Sequence, residues 1–233
     1  MRIEPELGGC GIVLVGHFNP LIFSPAWFAK NGIVSDEEAN SAEVSVIHPE
    51  ISAFRIGKMR LQVEQLRLSA DTTEAPWITL CDFLVKTFGE FLVHTPINGM
   101  GINRSVHFSV GDEETRNRIG RLIAPLGPWR EWGREIENQG PGARSGCTNL
   151  TMVQPKVAED DINGHIQLQV QPSSRLRGNA GIFVSVNDHY SVGGLEQLIG
   201  CEKIISILSE RFERSIRGSE DKIDIVMAMK ELL

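Results

Sequence analysis

No part of this 233-residue chain is apolar for long. The longest uninterrupted run near the start, Ile12-Val13-Leu14-Val15, falls far short of the ~20 residues a membrane-spanning helix needs. The opening residues Met1-Arg2-Ile3-Glu4-Pro5-Glu6 are acidic and carry proline where a secretory leader would be basic, so the expected location is cytoplasmic, with no membrane partner. Cysteine is sparse. Cys10, Cys81, Cys147 and Cys201 stand more than 50 residues apart, which excludes a Cys-x-x-Cys zinc or redox site and predicts reduced thiols. The six histidines (His17, His48, His94, His107, His165, His189) are scattered singly, without the pairing of a helical metal site, so no metal and no cofactor is expected. Positive charge is in deficit: 23 Lys+Arg against 30 Asp+Glu give −7, which disfavours a generally cationic nucleic-acid binder. No Walker loop, Gly-x-Ser-x-Gly elbow or His-Glu-x-x-His motif is present. Gly8-Gly9-Cys10-Gly11 precedes a strand, whereas a dinucleotide fingerprint must follow one.

What remains is the composition of a folded protein, 41% apolar and 23% charged. A chain of this length forms one large domain or two small ones. Strand patterns cover Gly11 to Phe18, Val44 to Val46, Ile51 to Ile56 and Met59 to Val63, with a short capped helix at Ser24-Pro25 and an acidic loop or cap at Ser35-Asp36-Glu37-Glu38. Asp71 to Glu74 resembles a helix cap. Trp77, Leu80, Leu84, Phe88, Phe91 and Leu92 then repeat at helical spacing. From Ile102 to Val110 the period becomes two, placing Asn103, Ser105, His107 and Ser109 on one face, open or covered. Asp112 caps the next helix. Strands follow at 150–152 and 165–171, the latter opened by an Asn163-Gly164 hairpin turn, and another at Ile182 to Val186. A long helix carries Leu198, Ile205, Leu208, Phe212 and Ile216; Gly218 is expected to break it and Ser219 to restart it. The expected fold is α+β: a mostly antiparallel twisted sheet with helices packed on one face and a helical C-terminus. It forms a single domain over 1–233, or two sub-lobes, 1–137 and 147–233, joined by the Gly/Pro-rich loop 138–146.

Candidate chemistry is thin. In Asn187-Asp188-His189-Tyr190, Asp188 could orient His189 as a general base, with His107 as a further acid/base group. Alternatively the Asn-Asp pair simply ends the strand. Arginine outnumbers lysine sixteen to seven, and Arg55, Lys58, Arg60 and Arg67 give residues 55–67 a local excess of positive charge. Arg55, Arg60, Asn103 and Arg104 are candidate contacts for an anionic ligand, since guanidinium groups bind phosphate and carboxylate in a bidentate fashion. A solvated, aggregation-blocking strand edge accounts equally for the first two. Ile223, Val226, Met227, Met229 and Leu233 give the last helix more apolar surface than one stripe needs, either for the core or for another protein or a second copy.

Several short elements form a pattern: Gly16-His17-Phe18-Asn19-Pro20, the helix from Trp77 to Leu92, Gly101-Ile102-Asn103-Arg104, the Asn187-to-Tyr190 cluster, and the helix from Glu202 to Ile216. This resembles an uncharacterised, sporadically distributed family of bacterial proteins of about 250 residues. The resemblance implies mobile genes, such as antiviral defence or toxin–antitoxin cassettes, and carries no catalytic assignment. The leading expectation is a non-enzymatic interaction protein, a subunit or regulator of a bacterial complex that docks or self-associates through its C-terminal helix. The alternatives are an effector enzyme acting on a nucleotide or nucleic acid, reached only through the local arginine patch, and a small-ligand sensor using the sheet face.

Overall fold

The computed structural model of the chain describes residues 3–138, 147–156, 162–193 and 200–233. The loop expected over 138–146 thus lies outside the described residues from 139 onward, as does Leu198. Nine strands form one sheet: β1 (Leu7–Gly16), β2 (Glu43–Ile47), β3 (Ile51–Ile56), β4 (Met59–Glu64), β5 (Arg67–Thr72), β6 (Ile97–Ser109), β7 (Leu150–Pro155), β8 (Ile162–Pro172) and β9 (Gly181–Val192). Their order is β2-β3-β4-β5-β1-β6-β9-β8-β7, and every neighbouring pair is antiparallel. Among the described residues the α-helices are α1 (Pro25–Lys30), α2 (Asp36–Asn40), α3 (Ile78–Lys86), α4 (Glu113–Ile123), α5 (Arg130–Glu137) and α6 (Glu202–Ala228). The fold is α+β, as the strand spacing predicts. β6 and β9 are hydrogen-bonded neighbours, so one sheet runs through both 1–137 and 147–233.

Local chemistry sets several boundaries. Ser24 accepts from the Trp27 amide at the start of α1, and Ser35 forms a reciprocal capping box with Glu38, turning the acidic segment into a short helix. Asp112 accepts from the Thr115 amide at 2.7 Å to open α4.

One face of the sheet makes the core, and it does so in two clusters. In the first, Ile12 and Leu14 of β1, Met100 and Ile102 of β6, and Val192 of β9 pack beneath Leu80 and Leu84 of α3 and Ile204 and Leu208 of α6. In the second, Val106 and Phe108 of β6 and Val184 and Val186 of β9 meet Ile119 of α4 and Ile223, Val226 and Met227 of α6. Between the clusters all three long elements turn polar at the same level: Arg104 on β6, Asp188 on β9, and Ser215 and Ser219 on α6, every one of them buried. A polar belt therefore crosses the core beneath one helix.

Five expectations need correction. Asp71 and Thr72 are not a helix cap; they end β5, and α3 starts at Ile78 after Trp77 with no side-chain cap. The stripe from Trp77 to Leu92 is not one α-helix either, because a π-turn over Thr87–Phe91 follows α3. Asn163-Gly164 is not a hairpin turn: it lies inside β8, opposite Ser191 and Tyr190. A Cβ at Gly164 would sit 2.1 Å from the His189 carbonyl oxygen, so glycine is there for close approach of two backbones. Asn187 and Asp188 do not terminate a strand, since β9 runs on to Val192. Last, α6 is continuous through Gly218 and Ser219, whose hydroxyl donates to the Ser215 carbonyl at 2.8 Å. A mid-helix glycine costs only about 1 kcal/mol, and buried stripes on both sides of it hold the helix together. The strand at Val44 and Val46 is the exposed sheet edge, with a register shift between the two valines.

Candidate functional site

The belt is built by two periodicities meeting. Alternate residues of β9 face α6, which brings Asp188 and Tyr190 inward and leaves Asn187 and His189 on the opposite face of the sheet. On α6, Arg211, Ser215, Ser219 and Lys222 recur at three- and four-residue spacing, so the stripe that faces the sheet turns polar below Phe212. Asp188 is the hub. Its Oδ2 accepts from the Ser215 hydroxyl at 2.6 Å and from the Tyr190 hydroxyl at 3.0 Å, and those two hydroxyls lie 3.0 Å apart. Its other oxygen pairs with the Lys156 ammonium. Lys156 Nζ also donates to the His189 carbonyl at 3.0 Å and rests 3.0 Å from the ring centre of Tyr190, the only tyrosine in the chain. Arg211 approaches the same ring, its guanidinium carbon 6.0 Å from the centre.

These contacts set the protonation states. Burial pushes the Tyr190 phenol up to about 12, helped by the neighbouring Asp188 carboxylate, so the hydroxyl is a donor at every physiological pH. Burial lowers the Lys156 pKa, Asp188 opposes that shift, and the nearby Arg211 charge adds to it. The ammonium thus sits among like charges with one carboxylate to hold it.

The network forms one wall of a cavity of about 840 Å3 between α6 and the β7–β8–β9 edge. Five cations line it (Lys156, Arg211, Arg214, Arg217 and Lys222) against two carboxylates, Asp188 and Asp221. Among the described residues Arg214, Arg217 and Lys222 form no ion pair. Pro155, Ile166, Val186 and the Tyr190 ring supply apolar surface. A chain of net charge −7 therefore concentrates an excess of three positive charges around one concavity.

The sequence candidates fall differently. Asp188 joins the network, whereas His189 points to the other face, where its ring stacks on His165 with centres 4.9 Å apart. His107 shares that other face, but it pairs with Phe183, six residues from His189 on β9, or about 20 Å. Its Nδ1 contacts the Ser173 hydroxyl at 2.8 Å, and burial lowers its pKa. His107, Asp188 and His189 are thus not assembled into one acid/base constellation. Arg55, Arg60 and Asn103 do share a row across the sheet, through the pairings Arg55–Arg60, Arg60–Asp71, Asp71–Gly11 and Gly11–Asn103. Arg60 is ion-paired with Asp71 at 3.6 Å. Arg104 leaves this row for the core, where it meets Glu220 at 3.3 Å, donates to the Gly9 carbonyl at 3.1 Å and lies over Trp77. Ile223 and Met227 are buried in the second core cluster, with Met229 packed against it, so the apolar excess of the last helix is largely core. Leu233 remains partly exposed.

Lys156, Ser215 and the α6 cations escape the sequence reading, and Tyr190 enters it only as part of the Asn187-to-Tyr190 cluster, without a role. The signal that could have found them is the Arg211, Arg214, Arg217 spacing of three, which runs beside a helix's buried stripe. Among the described residues no three or more His, Cys, Asp and Glu side chains group as metal ligands, and no helix is long and apolar enough to cross a membrane. No protein-family model matches the chain, and no curated protein matches it.

Proposed function

We propose that this protein binds a small anionic ligand, bearing phosphate or carboxylate groups, in the cavity between α6 and the β7–β8–β9 edge. The observation that carries this reading is the concentration of five cations around a concavity on an acidic chain, three of them without a carboxylate partner among the described residues. Arg214 and Arg217 offer guanidinium forks that suit bidentate anion recognition. The cavity volume lies within the range of small-ligand sites, and its apolar surface favours an anion with a hydrophobic or aromatic part, as in a nucleotide. Asp188, Tyr190 and Ser215 hold Lys156 at the wall and fix its geometry before any ligand arrives.

Thermal unfolding of the full chain with inorganic phosphate, citrate and adenosine triphosphate tests it. A ligand at one hundred times its Kd adds about 2.7 kcal/mol, which for a chain of this size raises the midpoint by about 5–10 °C. No shift with any of the three would rule the reading out.

A second reading, docking of another protein or a second copy on the C-terminal helix, is supported by the exposure of Ile225 and Leu232. Native mass measurement of the protein purified from its own host tests it, and a free monomer there counts against it.

A further inference from the structure

Lys156 is held at the cavity wall from both ends. Its amide donates to the Gly164 carbonyl at 3.0 Å, and its stem crosses Gly164, where a Cβ would sit 3.3 Å from Lys156 Cδ. Glycine there leaves the space that the stem occupies. The amine meets the Asp188 carboxylate, the His189 carbonyl and the face of the Tyr190 ring, yet 19% of the side chain stays exposed and the residue lines the cavity. A proton acceptor therefore touches the amine, while Arg211 crowds the same ring with a like charge. Burial and that charge weigh against the ammonium form, with Asp188 opposing them. Lys222, the other lysine on the cavity, is placed differently: its amine donates to the Gly218 carbonyl at 3.1 Å and pairs with no carboxylate among the described residues.

We propose that Lys156 forms an imine with an aldehyde or ketone bearing a phosphate or carboxylate group, the cavity's arginines holding the anion and Asp188 moving the protons. This rests on the anion site proposed above and adds the class of its ligand. A lysine becomes a nucleophile when it is partly desolvated and set beside another cation, and a carbonyl carbon is its characteristic target. Asp188 takes one proton from the ammonium. The freed nitrogen pair bonds to the carbonyl carbon, and the C=O pair moves onto oxygen, which takes a second proton from nitrogen. Asp188 then returns its proton to that hydroxyl, which leaves as water while the nitrogen pair closes the C=N bond. One water and one iminium result, with the carboxylate regenerated and the positive charge still on nitrogen. Nothing is oxidised or reduced. The Ser215 and Tyr190 hydroxyls donate to the far oxygen of Asp188, which fixes the carboxylate with its other oxygen toward the amine. Arg214 and Arg217 line the cavity from α6 and Lys156 lines it from the sheet edge, so an anion held by the helix presents its carbonyl to the amine.

Pyridoxal 5′-phosphate, which carries an aldehyde and a phosphate on one ring, serves as the chemical probe. The full chain is incubated with it, reduced with borohydride to fix any imine, and mapped by peptide mass, while a parallel titration of adenosine triphosphate reports the anion site by itself. The expected result is that Lys156 is labelled first among the seven lysines, about tenfold ahead of Lys222. Pyridoxal, which lacks the phosphate, and the Arg214→Glu/Arg217→Glu variant are each expected to cut the label on Lys156 about tenfold, and excess adenosine triphosphate competes it away. Asp188→Asn, which keeps the size of the hub, slows labelling by a similar factor; thermal midpoints establish that each variant is folded, and the map of the native chain decides if this one is not. Label spread evenly over the lysines, or placed first on Lys222, overturns the inference. So does equal labelling by pyridoxal, or an unchanged rate in folded Asp188→Asn. Binding of adenosine triphosphate with no label on Lys156 overturns it and leaves the anion site standing, whereas the absence of both removes the two together.

Discussion

Along β9 the two sides of a single strand have opposite electrostatic characters. Asp188 and Tyr190 face α6, in a buried network of charge and hydroxyl that borders a cation-lined cavity. Asn187 and His189, their immediate neighbours in sequence, face the other side of the sheet, where β6, β8 and β9 carry amides, hydroxyls and imidazoles and the nearest charges along the Asn187 row are Asp71 and Arg60. Charge has been sorted by strand parity, and the sorting has a physical basis. Beneath a helix, a buried carboxylate persists only if hydrogen bonds and a counter-ion hold it. On the opposite face the neutral amides bond locally, Asn103 to the Gly101 carbonyl and Gln169 to Gln171.

The comparison breaks most severely at its hub. Asp188→Ala leaves the half-buried Lys156 without its carboxylate and the Ser215 and Tyr190 hydroxyls without their acceptor, and is expected to cost about 3 kcal/mol in denaturant unfolding. An effect under ~1 kcal/mol would mean that the belt is solvated rather than structural. Gly164→Ala attacks the same junction through the backbone. Its methyl group meets the His189 carbonyl, and a loss of about 1–3 kcal/mol is expected from forcing β8 away from β9. Tyr190→Phe removes one hydroxyl from the network while keeping the ring under Lys156, and should cost about 1–2 kcal/mol.

Acid sharpens the contrast from the side of His189. Burial, the His165 ring and the Lys156 charge all hold the His189 pKa below its ordinary 6.5, with Asp188 opposing them. The unfolded chain therefore binds the proton more readily, and stability contributed by neutral His189 is full above pH 6.5 and is lost as the pH falls below it. His107, also held low by burial and Arg175, adds to the same trend. Thermal midpoints measured between pH 7.5 and 5 should fall with acidity, and His189→Gln should flatten the curve; an unchanged slope would remove His189 as the cause. The smallest stability effect belongs to the cavity cations. Arg214 and Arg217 are exposed, so replacing them should move stability by no more than ~0.5 kcal/mol while removing anion binding.

The sequence carries this fold well where periodicity is clean. Leu61 and Val63 alternate with polar neighbours in β4, Asp112 caps α4, and Ile205, Leu208 and Phe212 are buried along α6 as their spacing predicts. It misleads where residues with strong local habits serve tertiary needs. Asn163-Gly164 has the composition of a turn, yet the glycine is required by a neighbouring backbone. Asn187-Asp188 has the composition of a strand end, yet the aspartate is held by Lys156 and Ser215, which lie 32 and 27 residues away in sequence. Gly218 looks like a helix break, but packing on both sides of it overrides propensity. The candidate site was half visible for the same reason: Asp188 stands out locally, whereas Lys156 comes from the residue after β7 and Ser215 from α6, whose polar stretch means little until β9 lies beneath it. Arg104 shows the converse, a residue that looks like an anion contact and is consumed by Glu220 and the Gly9 carbonyl.

The central claim is that the α6 cavity is an anion site, and the most direct measurement is calorimetric titration of adenosine triphosphate into the native chain and into Arg214→Glu/Arg217→Glu. The account predicts one saturable site in the native chain that weakens steeply with salt, and at least a tenfold loss in a variant whose thermal midpoint is unchanged. Equal affinity in the two proteins would place any bound nucleotide elsewhere, and no heat in the native chain would contradict the claim outright.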